Sequence, residues 1–255
     1  MRTVAIIQAR MGSGRCPGKV MAEVGGRPML DHVVRRAQQA TTIELVVVAT
    51  SDRPSDDAIA DFCAQHSISC IRGSEDDVLD RYYQASKAFD VDPIVRLTAD
   101  CPLLDPAVID SVVRTFRAGD YDYVSNALEP TYPDGLDTEV FGFGVLEKAW
   151  REASRMTERE YPTSYIFEHP TRFRLHNVRN DVDLSNLRWT VDEPKDLEFV
   201  RRIYGELGPE PSFGMQEILD LLRRHPELAT INAGIGRNEG YQRSLEEDAA
   251  TGRDT

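Results

Sequence analysis

The 255-residue chain has few of the residues that build metal or redox centres, with four cysteines and five histidines. Cys16, Cys63, Cys70 and Cys101 form no CxxC pair and no histidine adjoins them, which argues against a structural zinc site. Scattered thiols in a chain of this length fit a reducing compartment, and the cytoplasm is the expected location. No apolar run reaches ~18 residues, so no membrane helix is expected. A strand expected from residue 3 onward leaves no place for a secretory leader. Positive charge is also short: 30 Lys and Arg stand against 43 Asp and Glu, a formal net charge of -13. Such a chain is a poor partner for nucleic acid, whose unspecific binding needs a basic face. Hydrophobic residues at 41% and charged residues at 29% are the proportions of a globular protein with enough chain for a substantial core.

Against this acidity one stretch stands out, Ala9-Arg-Met-Gly-Ser-Gly-Arg-Cys-Pro-Gly-Lys19. It carries Arg10, Arg15 and Lys19 with Gly12, Gly14 and Gly18, and it contains no acid. It follows the apolar run Val4–Ile7, which reads as a buried strand. Glycines let backbone approach an anion closely while the cations offset its charge, so the stretch reads as a triphosphate cradle. The plainer reading is a solvated glycine-rich turn. A dinucleotide fingerprint needs G-x-G-x-x-G opening a helix, and here the next helix is expected only near Pro28. A P-loop ends in Gly-Lys-Ser/Thr, whereas Val20 follows Gly18-Lys19.

Strands and helices then alternate. Helices are expected over Pro28–Ala40, Asp56–His66, from the acidic start Ser74–Asp77 through Phe89, and over Asp105–Arg117. Strands are expected at Glu44–Thr50, Ile68–Ile71 and Pro93–Thr98. This order implies an α/β fold with a mainly parallel sheet and helices on both faces, with ligands beyond the carboxyl ends of the strands. After residue 118 the pattern is less regular. Short strands are expected at Tyr121–Asn126, Thr138–Phe143, Arg172–Val178 and Leu187–Val191, and helices at Gly144–Arg155, Thr157–Phe167, Lys195–Tyr204 and Met215–Arg224. The division is a domain over residues 1–205, with a mixed region at about 121–180, and a C-terminal helical extension over 206–255. A linker is expected at 205–214, and the polar tail from Gly234 is expected to fray.

Two segments share one frame. Arg96-Leu-Thr-Ala-Asp-Cys-Pro102 and Arg188-Trp-Thr-Val-Asp-Glu-Pro194 both read R-[LW]-T-x-D-x-P. Each sets an aspartate just after an expected strand, with a proline leading into a helix. Two carboxylates from separated strands can share one hard cation, and Mg²⁺ typically takes one or two carboxylates plus substrate phosphates. The plainer reading is that Asp100 and Asp192 each cap a helix or turn. Asp134, Gly135, Asp137 and Glu139 form an acidic stretch that either contacts an acceptor, or a metal-bound water, or is a solvated turn. Arg72, between a strand and an acidic helix start, either contacts base or acceptor or pairs on the surface with Glu75 or Asp76. None of the histidines is assigned a role.

The loop from Ile6 to Lys19 resembles the signature loop of the cytidylyltransferases that make CMP-sugars, among them the CMP-Kdo and CMP-sialic acid synthetases. Arg96–Leu104, Pro133–Val140, Glu158–Glu160, Arg188–Asp196 and Ile231–Asn232 extend the resemblance over nearly the whole chain. They bring it nearest to the spore coat polysaccharide biosynthesis protein F group. Cys16 and Tyr161-Pro162 stand where that group has a leucine and a His-Val. The resemblance implies a Rossmann-like nucleotide-diphospho-sugar transferase fold with an inserted acceptor and dimerisation region, and a cytoplasmic homodimer. It implies transfer of CMP from CTP to a sugar hydroxyl, with release of pyrophosphate, for surface polysaccharide biosynthesis. Arg10, Arg15 and Lys19 would hold the triphosphate, with Ala9, Gly12, Ser13, Gly14 and Thr98 completing the nucleotide site. Arg15, Lys19 and Asp100 would be catalytic, and Asp100 and Asp192 would hold Mg²⁺. Arg72, Asp137 and Glu139 remain the acceptor-side candidates. The alternatives are a nucleotidyltransferase acting on a non-sugar acceptor such as a phosphonate, a glycosyltransferase using a nucleotide-sugar, and a non-catalytic nucleotide sensor.

Overall fold

A computed structural model describes residues 2–210 and 212–250. The first half builds the parallel part of the sheet. Strand β1 is Arg2–Gln8, followed by the two-residue pair β2 (Glu23–Val24) and β3 (Arg27–Pro28) and by helix α1 (Met29–Gln39). Then come β4 (Leu45–Ser51), α2 (Asp57–Gln65), β5 (Ser69–Gly73), α3 (Val78–Phe89), β6 (Val91–Thr98) and α4 (Pro106–Ala118). The second half adds β7 (Tyr123–Ser125), β8 (Glu139–Phe141), α5 (Phe143–Glu152), α6 (Met156–Glu160), α7 (Ser164–Phe167) and β9 (Leu175–Asn177). It ends with α8 (Pro194–Leu207), α9 (Met215–Arg224) and α10 (Glu239–Ala250).

The seven-stranded sheet has the order β5-β4-β1-β6-β8-β7-β9. β8 pairs antiparallel with both β6 and β7, and the other pairings are parallel. Period-2 alternation divides the apolar side chains between two cores. Ala5, Ile7, Val46, Val48, Val95 and Leu97 face the helices α1, α2, α4, α8 and α9. Val4, Ile6, Val47, Ala49 and Ile94 face α3, α5 and α7. Both faces are covered, which is why these strands read as continuous apolar runs. No described helix is long and apolar enough to cross a membrane.

Several expectations are corrected. The segment Leu187–Val191 is not a sheet strand. It makes one isolated bridge, Arg188 with Asp134, and Val191 N donates to Asp100 O at 2.8 Å. Its other backbone bonds, Asp134 N to Leu187 O and Trp189 N to Asp134 O, also lie beyond the end of the sheet. The helix expected at 157–167 is two short helices, parted at Tyr161-Pro162, because the residue before a proline is pushed out of the helical region. The acidic run at 74–77 precedes α3, with the Asp77 carboxylate capping Asp80 N at 2.8 Å. The described part of the tail beyond Gly234 forms α10 rather than fraying, and Thr157 N donates to Asp248 Oδ2 at 3.0 Å, while 251–255 lie outside the described residues. Phe213, inside the expected linker, and Ile218, Leu221 and Leu228, which follow it, pack into the same core as the first half.

Candidate active site

The carboxyl ends of β1 and β6 and the segment entering β8 open onto a cleft of about 680 Å³. This lies in the size range of small-molecule sites and at the position where open α/β sheets bind ligands. β1 delivers the chain into the glycine loop, tied back where Ala9 N donates to Ala49 O at 3.1 Å. The loop is closed by Gly18 N on Met11 O at 3.0 Å, and its base is anchored by Met11 N on the buried Asp56 Oδ1 at 2.7 Å. Gly18 has φ +72°, a conformation that side chains with a Cβ rarely adopt, and it turns Lys19 back beneath the loop. A Cβ on Gly14 would meet no heavy atom within 4 Å, so the space over that glycine is open.

Lys19 is the centre of the site. Its ammonium donates to Asp100 Oδ2 at 3.1 Å, Asp192 Oδ1 at 2.8 Å and Val191 O at 2.7 Å. Burial alone would lower its pKa; the two carboxylates reverse that and raise it, so Lys19 stays charged. Burial would raise the Asp100 carboxyl, but the Lys19 charge and hydrogen bonds from Thr98 and Lys19 hold it at about 2. Arg15 lies beside them, 3.4 Å from Asp192 and Glu193 and 3.1 Å from Glu239. Arg10 is the freer cation of the loop, 42% exposed and 3.5 Å from Glu160.

Arginines 188 and 96, which open the two matching frames, grip the two ends of the acidic stretch between them. Arg188 is buried and reaches Asp134 at 2.9 Å, Asp192 at 2.9 Å, Asp196 at 3.0 Å and the Gly236 carbonyl at 3.0 Å. Arg96 pairs with Glu139, which also accepts from Tyr123 Oη at 2.9 Å. Gly135 between them has φ +108°, and a Cβ there would stand 2.5 Å from Thr190 N. The acidic stretch can therefore lie directly on the 189–190 backbone only because that residue is glycine. Burial, then the neighbouring Asp137, lift the Asp134 carboxyl to about 7 against Arg237 and Arg188. Asp137 is raised too, first by burial, although Arg237 opposes this.

The structure thus brings Ala9, Arg10, Gly12, Ser13, Gly14, Arg15, Lys19, Thr98, Asp100, Asp137, Glu139 and Asp192 to one cleft. It does not bring Arg72 there. The Arg72 guanidinium donates to the carbonyls of Ser51 and Arg53, each at 2.9 Å, and pairs with Asp57 at 2.7 Å, so it fastens β5 to α2. Neither Glu75 nor Asp76 is its partner; Glu75 pairs with Arg53. Asp137 and Glu139 reach the cleft already neutralised by Arg237 and Arg96. Sequence reading missed Arg188, Arg237 and the cleft-lining residues of α10. The repeated frame contains the signal for Arg188, as its first residue; the polar tail gives none for the others.

Two hard carboxylate oxygens that converge on a cation are a donor set suited to Mg²⁺, and Lys19 Nζ stands in for that charge here. Among the described residues no group of three or more His, Cys, Asp or Glu could hold a metal by itself.

A mostly parallel α/β sheet with a cationic glycine loop facing paired carboxylates defines a nucleotide-handling enzyme. The sequence profile of the cytidylyltransferase family matches residues 4–212, and the chain belongs to that family. It is 34% identical to the spore coat polysaccharide biosynthesis protein SpsF of Bacillus subtilis over 234 residues, 88% of this chain and 95% of that one. A 3-deoxy-manno-octulosonate cytidylyltransferase of Chlamydia trachomatis is 30% identical over 181 residues, 69% of this chain and 68% of its own. The solved structure of a cytidylyltransferase from Leptospira borgpetersenii is similar at a TM-score of 0.87 and 30% identity, covering 93% of this chain and 100% of that one. The protein is a CTP-dependent nucleotidyltransferase with a Rossmann-like fold.

Proposed function

We propose that the protein transfers CMP from CTP to a hydroxyl of a sugar, with release of pyrophosphate, in the biosynthesis of a surface polysaccharide. The observation that carries this reading is the meeting of Asp100 and Asp192 on Lys19 Nζ beneath an open glycine loop. The sugar acceptor is supported by the relatives, one of which is named for spore coat polysaccharide biosynthesis and another for 3-deoxy-manno-octulosonate. Asp100 and Asp192 would hold Mg²⁺, which supplies charge neutralisation on the phosphates and polarises the attacking oxygen. Cytoplasmic location and assembly as a homodimer belong to the same reading and rest on resemblance.

The chain's own groups have separate tasks. Backbone over Gly12 and Gly14 admits the triphosphate, and Arg15 and Lys19 offset charge on the departing pyrophosphate. Arg15 is held by three carboxylates, each 3.1 Å or more away, so exchanging one for a phosphate oxygen breaks no tight pair. Lys19 keeps its proton because burial is outweighed by two carboxylates, and it therefore acts as a fixed charge. Positioning and charge neutralisation supply most of the acceleration, as in phosphoryl transfer generally.

Pyrophosphate release should be measured with CTP, Mg²⁺ and a panel of acidic sugars, neutral sugars and phosphonates. One of the sugars should turn over, and chelation with EDTA should abolish the signal. Asp100→Asn should reduce it by about 100-fold or more with the unfolding transition retained. Full activity in that variant would sink the metal assignment, and turnover of phosphonates alone would sink the sugar.

A further inference from the structure

The cleft contains more groups than nucleotide binding uses, and most of them are already paired. Lys19 and Arg15 hold carboxylates of the nucleotide side, Arg96 holds Glu139, and Arg81 donates to the carbonyls of Ser74 and Glu75 at 2.7 and 3.1 Å. The acids at the acceptor side are likewise occupied, Asp137 by Arg237 and Glu139 by Arg96. A wall that can still recognise an acceptor has to come from elsewhere, and α10 supplies it.

This helix follows the family's shared region and runs from the nucleotide loop to the mixed region. At its start Glu239 meets Arg15 at 3.1 Å. Two residues on, Tyr241 stands edge-on to Tyr161 at 4.9 Å and to Phe167 at 5.9 Å, and its hydroxyl donates to Glu168. Further along, Ser244 donates to Glu160 at 3.0 Å. Tyr241, Tyr161 and Phe167 all line the cleft, which gives it an aromatic flank of the kind that packs against the C–H face of a sugar ring. On the same stretch, Arg243 lines the cleft and is exposed. Its side chain makes no ion pair or hydrogen bond to any described residue, Glu247 one turn along included. Arg243 is thus a cleft cation without a described carboxylate partner in a chain of formal net charge -13.

We propose that α10 is the acceptor-binding wall, with the Tyr161–Phe167–Tyr241 cluster packing on the sugar ring and Arg243 selecting acceptors that carry a carboxylate or phosphate. A planar guanidinium with unused donors matches either anion bidentately. The inference rests on the sugar-acceptor reading above and assigns it residues outside the nucleotide set proposed there. The experiment therefore follows nucleotide and acceptor separately.

The full chain and its variants Arg243→Ala and Arg243→Lys should be titrated with Mg²⁺–CTP by calorimetry. The anionic sugars 3-deoxy-manno-octulosonate, N-acetylneuraminate and glucose 1-phosphate, and neutral glucose, should then be titrated by ligand-detected NMR with CTP present. We expect CTP affinity to change less than about twofold, while the best anionic sugar loses tenfold or more with Ala and recovers in part with Lys. KM for that acceptor should rise with kcat little changed, the mark of lost binding to both ground and transition states. The proposal is overturned if glucose binds as well as the anionic sugars. It is also overturned if no anionic sugar binds the wild-type chain, or if Arg243→Ala leaves acceptor binding within twofold. Failure of the wild-type chain to bind CTP would instead overturn the nucleotidyl-transfer reading on which it stands.

Discussion

Lys19 is held by oxygens of three residues, and all of them follow one of the two matching frames' central threonines: Asp100, Val191 and Asp192. The frame could be found in the sequence because a carboxylate just past a strand, followed by proline, is a local pattern. That the two copies close on one lysine was not legible, since it depends on Val191 N bonding Asp100 O across 91 residues of chain. Arg72 shows the opposite case. It is expected just after a strand but lies within β5, and its carbonyl partners, Ser51 at the end of β4 and Arg53 beyond it, hold it away from the cleft. A pH effect belongs at this scale. Asp134 is lifted to about 7 by burial and by Asp137, so the folded state holds a proton there that the unfolded chain has already lost above its ordinary pKa. This contribution to stability is largest at low pH and is lost as pH rises through about 7. Asp137→Asn removes the like charge and lets Asp134 ionise earlier. The difference in melting temperature, wild type minus variant, should therefore fall steadily from pH 5 to 8, and a difference that rises instead would contradict the assignment.

At the scale of elements, the parallel half was legible because each strand is an uninterrupted apolar run and each helix has an apolar face. The later elements were harder. Leu187–Val191 has the composition of a strand, yet its neighbours are a turn and a loop, and the only described strand-type pairing it makes is one bridge. What fixes it is Gly135, whose left-handed backbone allows the acidic stretch to lie against it. Gly135→Ala drives a methyl into the Thr190 amide with no flexible side chain to yield. We expect a loss of about 3 kcal/mol in urea unfolding, together with weakened CTP binding as Asp192 shifts. Helix α10 was missed because its residues are polar and its apolar face is weak. It is held by Asp248 on Thr157 N, Ser244 on Glu160 and an aromatic contact, all of them tertiary.

For the whole molecule, both cores and the cleft share one sheet, so a ligand that bridges β1, β6 and the segment before α8 stabilises the fold as a unit. A ligand at a hundred times its Kd adds about 2.7 kcal/mol by mass action. In a chain of this size that corresponds to a rise in Tm of roughly 5–10 °C. Mg²⁺–CTP should give this shift, and Mg²⁺ with ATP, GTP or UTP at the same concentration should give less; equal shifts for all four would remove the basis for CTP selection at the site.

The amino-acid sequence by itself determined the α/β alternation, the cationic glycine loop and the two aspartates. Each of these is carried by residues close together in the chain, through periodicity, charge contrast or a repeated frame. Only the tertiary structure decided that Lys19 draws both aspartates together, that Arg188 and Arg96 grip the two ends of the acidic stretch, and that a polar C-terminal segment becomes a wall of the cleft. Those arrangements depend on contacts between residues 43 or more apart, from Arg96 with Glu139 to Arg15 with Glu239, and no local pattern encodes such a pairing.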